Sequence, residues 1–485
     1  MSKPLSARPV EAGVKETKRS SACWPLAVLS LSMLLSSLGT SIANVALPTL
    51  ASSLGASFQA VQWVVLAYLL AVTTLIVGMG RLGDMVGRRR LLIAGIALFT
   101  VASFLCGASP TLELLIAARV AQGLGAAIMM ALGVAFVGEI VDKEKTGRAM
   151  GLLGTMSAVG TALGPSLGGA LIAGAGWPAI FLVNVPLGIA AFALAQRHLP
   201  TDRDVATTGR IRFDYVGTAL LALALAGYAL AMTLGRGRFG MLNVALLAAA
   251  LLAGGLFVLT QARAASPLIR WELVRRPGLR AGLLTNALVS TVMMATLVVG
   301  PFYLSAGLGL DAAAVGLVIS AGPVVAALAG VPAGRLVDDL GARRLTVVGL
   351  GGIAAGAFTL SMPAVLDIPG YVIPLVVMTA SYALFQAANN TAIMANVRHD
   401  ERGLISGILS LSRNLGLITG ASFMGAVFAL ASATTDFTSA PPETVAAGMR
   451  TTFGVASILI VLALVIAIGS QVRARPRTCS AGCPD

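Results

Sequence analysis

Gly80-Arg81-Leu82-Gly83-Asp84-Met85-Val86-Gly87-Arg88-Arg89-Arg90 recurs 254 positions later as Gly334-Arg335-Leu336-Val337-Asp338-Asp339-Leu340-Gly341-Ala342-Arg343-Arg344. Each copy is a short basic turn between two long apolar runs. The glycines permit a tight turn, and the acid can pair with a neighbouring arginine or sit at a helix N-terminus. One such cluster would be an ordinary charged loop. A second set of residues makes the recurrence structural: Gly151, Gly160 and Gly164 match Gly407, Gly416 and Gly420 at an offset of 256. Two offsets of nearly the same size mean that one half of the chain repeats the other in the same orientation. In a membrane such a pair is related by an axis along the bilayer normal.

Outward from the two turns the chain is a series of apolar runs long enough to cross a bilayer as helices. They lie near 24 to 47, 61 to 80, 91 to 108, 112 to 138, 149 to 173 and 178 to 196, then 215 to 235 and 241 to 262. Six more lie near 281 to 305, 312 to 333, 345 to 364, 370 to 396, 403 to 430 and 452 to 472. With 57% hydrophobic and 11% charged residues and a mean hydropathy of +0.89, folding in water would leave much of this apolar surface exposed. Helices satisfy their own backbone in lipid, and the alternation of a barrel strand is absent. The expected fold is therefore an all-α integral membrane protein with 14 transmembrane helices: two pseudo-symmetric six-helix bundles plus two inserted helices. The expected divisions are an N-tail 1–23, a bundle 24–196, a linker with the two inserted spans 197–280, a bundle 281–472 and a C-tail 473–485.

Charge supports the count. With the N-terminus in the cytoplasm, 29 of the 34 Lys and Arg fall on the inner side, three (Arg236, Arg238, Arg450) in outer connections, and two (Arg119, Arg413) inside spans. The net charge of +14 is thus topogenic, and with no aromatic interleaving it does not indicate nucleic acid. The run Trp24 to Leu47 is too long for a signal-peptide core. Cys23, Cys106, Cys479 and Cys483 have no framework spacing, so no disulfide is expected. His198 and His399 fall in loops, no nucleotide or metal motif is present, and no cofactor, metal or catalysis is expected.

Several polar residues are placed inside the apolar runs. Ser37, Thr40, Ser41 and Asn44 share one face of the first span, and Tyr382, Phe385, Gln386 and Asn389 one face of the twelfth. Such a wall suits a planar or amphipathic organic molecule, and the same residue types also serve as glue between helices. Arg119 lies roughly 10 Å inside the fourth span, with Gln122, Met129 and Met130 on its face. Arg413 lies near the middle of the thirteenth, with Asn414 beside it. A charge at that depth costs a few kcal/mol unless it meets a partner or a wet cavity, and both arginines are read as facing a cavity. Glycines at 160, 164 and 168 give the fifth span a groove for a close neighbour, and Pro165 removes a backbone hydrogen bond. That pattern suits a hinge or a seal at a moving interface.

The order of these motifs resembles the major facilitator superfamily and, within it, the fourteen-span drug:proton antiporter branch. Gly80 to Arg90 resembles its motif A, Leu115-x-x-x-Arg119-x-x-Gln122-Gly123-x-Gly125 its motif B, and Gly160-x-x-x-Gly164-Pro165-x-x-Gly168-Gly169 its antiporter motif C. Trp177-Pro178-Ala179-Ile180-Phe181-Leu182-Val183-Asn184-Val185-Pro186-Leu187-Gly188 resembles its sixth span. The resemblance implies a cytoplasmic gate at Gly80, Asp84, Gly87, Arg88, Arg89, Asp338 and Arg343, and proton coupling through Arg119 or Glu113. It departs from the branch in the first span, where Leu38-Gly39-Thr40-Ser41-Ile42-Ala43-Asn44 carries Gly39 in place of the usual acid. None of the twenty Asp and Glu lies mid-span; Glu113 and Glu139 mark the two ends of the fourth. The implied function is transport of a small organic molecule by alternating access, as proton-driven efflux of drug-like compounds. The alternative is passage of a neutral or anionic nutrient such as a planar vitamin. The expected setting is a bacterial inner membrane, with both termini cytoplasmic, as a monomer.

Overall fold

The computed structural model describes residues 23–141, 146–200, 214–234, 240–263, 277–362, 367–394, 402–434 and 440–473. Most of both tails, including Cys479 and Cys483, lies outside the described residues, as do Arg236, Arg238 and His399. Among the described residues the chain forms fourteen long helices and no strand.

The first six are α1 (Cys23–Ser53), α2 (Phe58–Val86), α3 (Arg88–Gly107), α4 (Leu112–Ile140), α5 (Thr146–Ala175) and α6 (Ala179–His198). The inserted pair is α7 (Tyr215–Thr233) and α8 (Met241–Arg263). The last six are α9 (Pro277–Phe302, running on into a π-helical turn Tyr303–Gly307), α10 (Ala312–Leu340), α11 (Ala342–Leu360) and α12 (Ile368–Met394). They close with α13 (Arg402–Thr419, through a π-helical turn Gly420–Met424 into Gly425–Ala431) and α14 (Pro442–Arg473). Thirteen of the fourteen are long and apolar enough to cross a membrane. The other, α11, has 19 residues, and Arg343 and Arg344 in its first turn lower its hydropathy; from Leu345 onward it carries no charge. Arg450, read from sequence as part of an outer connection, lies instead in the third turn of α14.

Local chemistry sets the helix starts. Ser57, Thr111, Asp214 and Asp311 each accept a bond from the third residue after them, at α2, α4, α7 and α10. The two repeated turns adopt one conformation: Gly87 has φ 104° and Gly341 φ 85°, a left-handed region that favours glycine. The end of the molecule carrying these turns is called the arginine-rich end below, and the opposite one the far end.

The two six-helix bundles meet at the far end. There Pro165 O and Gly169 of α5 come so near Gly316 of α10 that a Cβ on Gly316 would lie 2.7 Å from backbone atoms of both. Phe58 of α2 makes edge contacts with Phe302 and Phe428 of the other bundle, with ring centroids 4.7 and 5.4 Å apart. Gln62 Nε2 donates to the Ala421 carbonyl at 3.0 Å. Ala421 sits in the π-helical turn of α13, where the widened register loosens the ordinary backbone ladder. One apolar core joins both bundles here, running from Leu38 to Ala467. Towards the arginine-rich end it divides. One cluster belongs to α1–α6 alone, and two small ones to the C-terminal bundle. The apolar core is thus shared by the two bundles at the far end and divided at the other.

Gly316→Val is expected to pry the far end apart, since the new side chain would press on backbone that cannot rotate away. Overpacking of this kind costs about 1–3 kcal/mol. In a background free of native cysteines, a Phe58→Cys probe should be labelled faster by a thiol reagent when Gly316 is valine. Equal rates would show that the seam does not depend on this approach.

The inserted pair flanks that seam. α7 packs on α2 and on the π-helical turn of α13, and Trp63 Nε1 donates to Thr233 Oγ1 at 3.0 Å. α8 packs chiefly on α7 and exposes Met241, Leu251 and Leu252, a surface suited to lipid.

Candidate functional site

Arg119 is fully enclosed, 0% exposed, in a cage drawn from four helices, α1, α2, α4 and α6. Its Nε donates to the Val64 carbonyl of α2 at 2.8 Å, and Nη1 to the Gly39 carbonyl of α1 at 3.0 Å and to Gln122 Oε1 one turn along α4. Helical carbonyls can accept these bonds because each keeps a second lone pair. The guanidinium lies 4.2 Å from the Tyr68 ring centre and 5.7 Å from that of Phe181. The cage is held in turn from outside. Gln122 Nε2 donates to Ser103 Oγ at 2.7 Å, Ser103 to the Phe99 carbonyl at 2.7 Å, and the Tyr68 hydroxyl to the Ser36 carbonyl at 2.7 Å. Charge-assisted bonds worth about 1.5–3 kcal/mol each, with cation–π contacts of about 2, offset the cost of the buried charge. Nη2 has no partner, and among the described residues no carboxylate belongs to the cage.

This corrects the cavity-facing reading of Arg119: the guanidinium is satisfied by carbonyls and rings inside one bundle. Gln122 and Met129, 0% exposed, are enclosed with it. Glu113 is exposed in the first turn of α4, about 9 Å along the helix axis from Arg119, and the structure does not bring the two together. Glu139 falls at the other end of α4, its side chain outside the described residues. Sequence reading missed Ser103, Cys106 and Phe181 as neighbours of Arg119; the first two belong to no motif, and only the fold joins them.

The polar stripes divide in the same way. Ser41 donates to the Gly160 carbonyl of α5 at 3.2 Å, Asn44 to carbonyls of its own helix, and Asn389 to the Gly282 carbonyl of α9 at 3.2 Å. Phe385, fully buried, packs against Gly349 of α11, and Asn414 is buried on α13. These five hold helices together or are enclosed. Thr40, Tyr382, Gln386 and Arg413 are only part-buried. Gln386 Nε2 donates to the Tyr382 hydroxyl at 2.7 Å. Arg413 lies on α13 between the face that packs on α9 through Gly416 and Gly420 and the face that meets α2; its Nε has no partner.

The glycine motif of α5 serves two interfaces. Gly160, Gly164 and Gly168 take the backbone and side chains of Leu34, Ser41 and Ile42 of α1, while Pro165 and Gly169 face α10 of the other bundle. Gly416 and Gly420 repeat the first arrangement against Ala287 and Thr291 of α9. At the arginine-rich end, Arg88 pairs with Asp84 at 2.7 Å; Gly80 and Gly87 flank that acid, and Arg89 binds carbonyls of α6. Asp338 has Ala342 where Asp84 has Arg88, so the second copy lacks this pair.

The family model for the Major Facilitator Superfamily matches residues 29–421 and matches again over 282–478, the second match falling on the C-terminal repeat. The chain belongs to the major facilitator superfamily. Members of that superfamily are transporters, and this chain is one, not an enzyme. It is 34% identical over 408 residues to the transporter YebQ of Escherichia coli (strain K12), covering 82% of this chain and 86% of that protein. It is 30% identical over 406 residues to the riboflavin transporter RibZ of Clostridioides difficile (strain 630), covering 83% and 88%. It is also 29% identical over 423 residues to the multidrug efflux pump LfrA of Mycolicibacterium smegmatis, covering 86% and 83%. Among solved structures, a bacterial homolog of the lysosomal transporter Spinster shares the fold, with a TM-score of 0.68 at 14% identity over 95% of this chain and 98% of that one.

Proposed function

We propose that this facilitator carries a flat, neutral or anionic organic solute, taken up between the two bundles against Thr40, Tyr382, Gln386 and Arg413. The observation that carries this reading is the sign of the fixed charge inside the membrane. Among the described residues every Asp and Glu lies at a helix end or in a connection, while Arg119 and Arg413 lie within spans. An embedded carboxylate would attract a cation and titrate; an arginine and aromatic or amide groups suit an anion or a polar planar ring. The positive-inside rule places the arginine-rich end in the cytoplasm, in a bacterial inner membrane. Alternating access would then open and close that side about the Asp84–Arg88 turn and its repeat. A relative that is a riboflavin transporter supports the solute class.

The test is a thermal-unfolding screen of purified protein with planar cationic, neutral and anionic compounds, a flavin among them. Neutral or anionic rings are expected to raise the unfolding temperature, and a response confined to cations would overturn the reading. Proton-coupled efflux of drug-like compounds is the second reading, favoured by the glycine seal of α5 and by relatives that are multidrug pumps. Substrate-dependent proton movement in everted vesicles would establish it.

A further inference from the structure

We propose that the arginine-rich end of the C-terminal bundle binds the headgroup of an anionic phospholipid. A crevice of about 1260 Å³ opens there between α9, α11, α12 and α14. Its walls are mainly apolar, with Leu279, Leu284, Ile393 and Val465 among them, and Arg280, Arg343 and Arg344 line it as well. All three arginines are exposed, and among the described residues none has an ion-pair or side-chain hydrogen-bond partner.

The internal repeat supplies a control within the same molecule. Arg89, the counterpart of Arg343, is tied down: it donates to the Gln196 carbonyl at 2.7 Å and the Leu199 carbonyl at 3.1 Å, closing the end of α6. The core beneath it is one cluster, with Val28, Leu29, Leu92, Phe136 and Leu199 packed together. In the C-terminal bundle the corresponding core is split. Leu279, Ile393, Ile405 and Leu409 form one part, Val337, Leu345 and Ala388 another. The crevice is lined by members of the first and by the neighbours of Leu345. The core is one cluster in the first copy and two clusters beside a crevice in the second, and the crevice arginines of the second lack the carbonyl partners that Arg89 has.

An occupant must bring apolar surface and negative charge together. Arginines on a rim suit phosphate oxygens, which accept paired N–H bonds, and apolar walls suit acyl chains. Both come from one molecule in the anionic cytoplasmic leaflet, to which the positive-inside rule assigns this end. The occupant would also touch a moving part. Gln471 Nε2 of α14 already donates to the Arg343 carbonyl at 2.9 Å, so the lipid would brace the turn that repeats Asp84–Arg88.

The full chain, delipidated in a neutral detergent, is titrated with phosphatidylglycerol, with phosphatidylcholine of the same acyl chains, and with inorganic phosphate, and binding is read by native mass spectrometry and thermal unfolding. Phosphatidylglycerol is expected to bind and raise the unfolding temperature, and the other two are not. Each arginine near the surface is worth about fivefold, so Arg280→Gln with Arg344→Gln should weaken binding about 25-fold. Arg280→Lys with Arg344→Lys, which keeps the charge and guards against misfolding, should retain most of it. Arg197→Gln, on the N-terminal bundle, should leave it unchanged. The proposal is overturned if phosphatidylcholine binds equally, if inorganic phosphate alone reproduces the shift, or if the double glutamine variant binds like the parent.

Discussion

Arg119→Lys is expected to damage the protein more than Arg119→Leu, although lysine keeps the charge. The guanidinium reaches Val64 of α2 and Gly39 of α1 from separate nitrogens while lying against Tyr68. An ammonium is a point charge on a narrower stem and cannot span both carbonyls. It would remain enclosed with its charge and fewer bonds, the situation in which breaking a buried charged network costs about 3–5 kcal/mol. Leucine removes the charge as well as the bonds. It leaves carbonyls that still belong to their helical ladders, one glutamine oxygen short of a strong donor, and a smaller side chain in the cage. About 2 kcal/mol is expected for it. Unfolding in detergent, followed by tryptophan fluorescence, measures both. Transport should be lost in the lysine variant, because α1, α2 and α4 are registered by this one group. A lysine variant as stable and active as its parent would mean that the field of the charge, and not the fork geometry, is what the bundle uses.

The repeat, the helix count and the basic turns were legible in the sequence because each is a local pattern. Gly87 and Gly341 needed only their spacing to be recognised, and the structure gives them the same turn. The azimuth of each helix was not legible. In water a helix buries its apolar face, but in lipid the outward face is as apolar as the inward one, so periodicity does not say which side meets a neighbour. Ser41 and Asn389 illustrate the consequence. A stripe of hydroxyls and amides reads equally as a cavity wall or as helix glue, and here Ser41 reaches Gly160 and Asn389 reaches Gly282. Arg119 was legible as a residue needing partners, but apart from Gln122 on its own helix they come from α1, α2 and α6, and Val64 and Tyr68 stand in none of the quoted stretches.

The absence of an acid at position 39 was legible, but its position relative to Arg119 was not. Gly39 is the residue whose carbonyl Arg119 Nη1 binds. A Cβ built on it would lie 3.3 Å from the Tyr68 hydroxyl and 3.4 Å from two atoms of Phe99. That is tight and needs only a small shift of two side chains. Gly39→Asp therefore directs a carboxylate towards the cage in which Arg119 Nη2 lacks a partner.

The variant is expected to place a carboxylate inside the membrane, where none of the described residues supplies one. When ionised it pairs with Arg119 and lowers the positive field of the N-terminal bundle. When protonated it restores that field and loosens the pair. Flux should then depend on a pH gradient that leaves the parent unaffected, and affinity should move towards cationic rings, by about tenfold for each ~1.4 kcal/mol of changed field. Substrate-triggered proton movement in everted vesicles, compared between parent and variant, reads the first effect, and the thermal-shift screen reads the second. A folded variant that shows neither would mean that the cage around Arg119 is structural only.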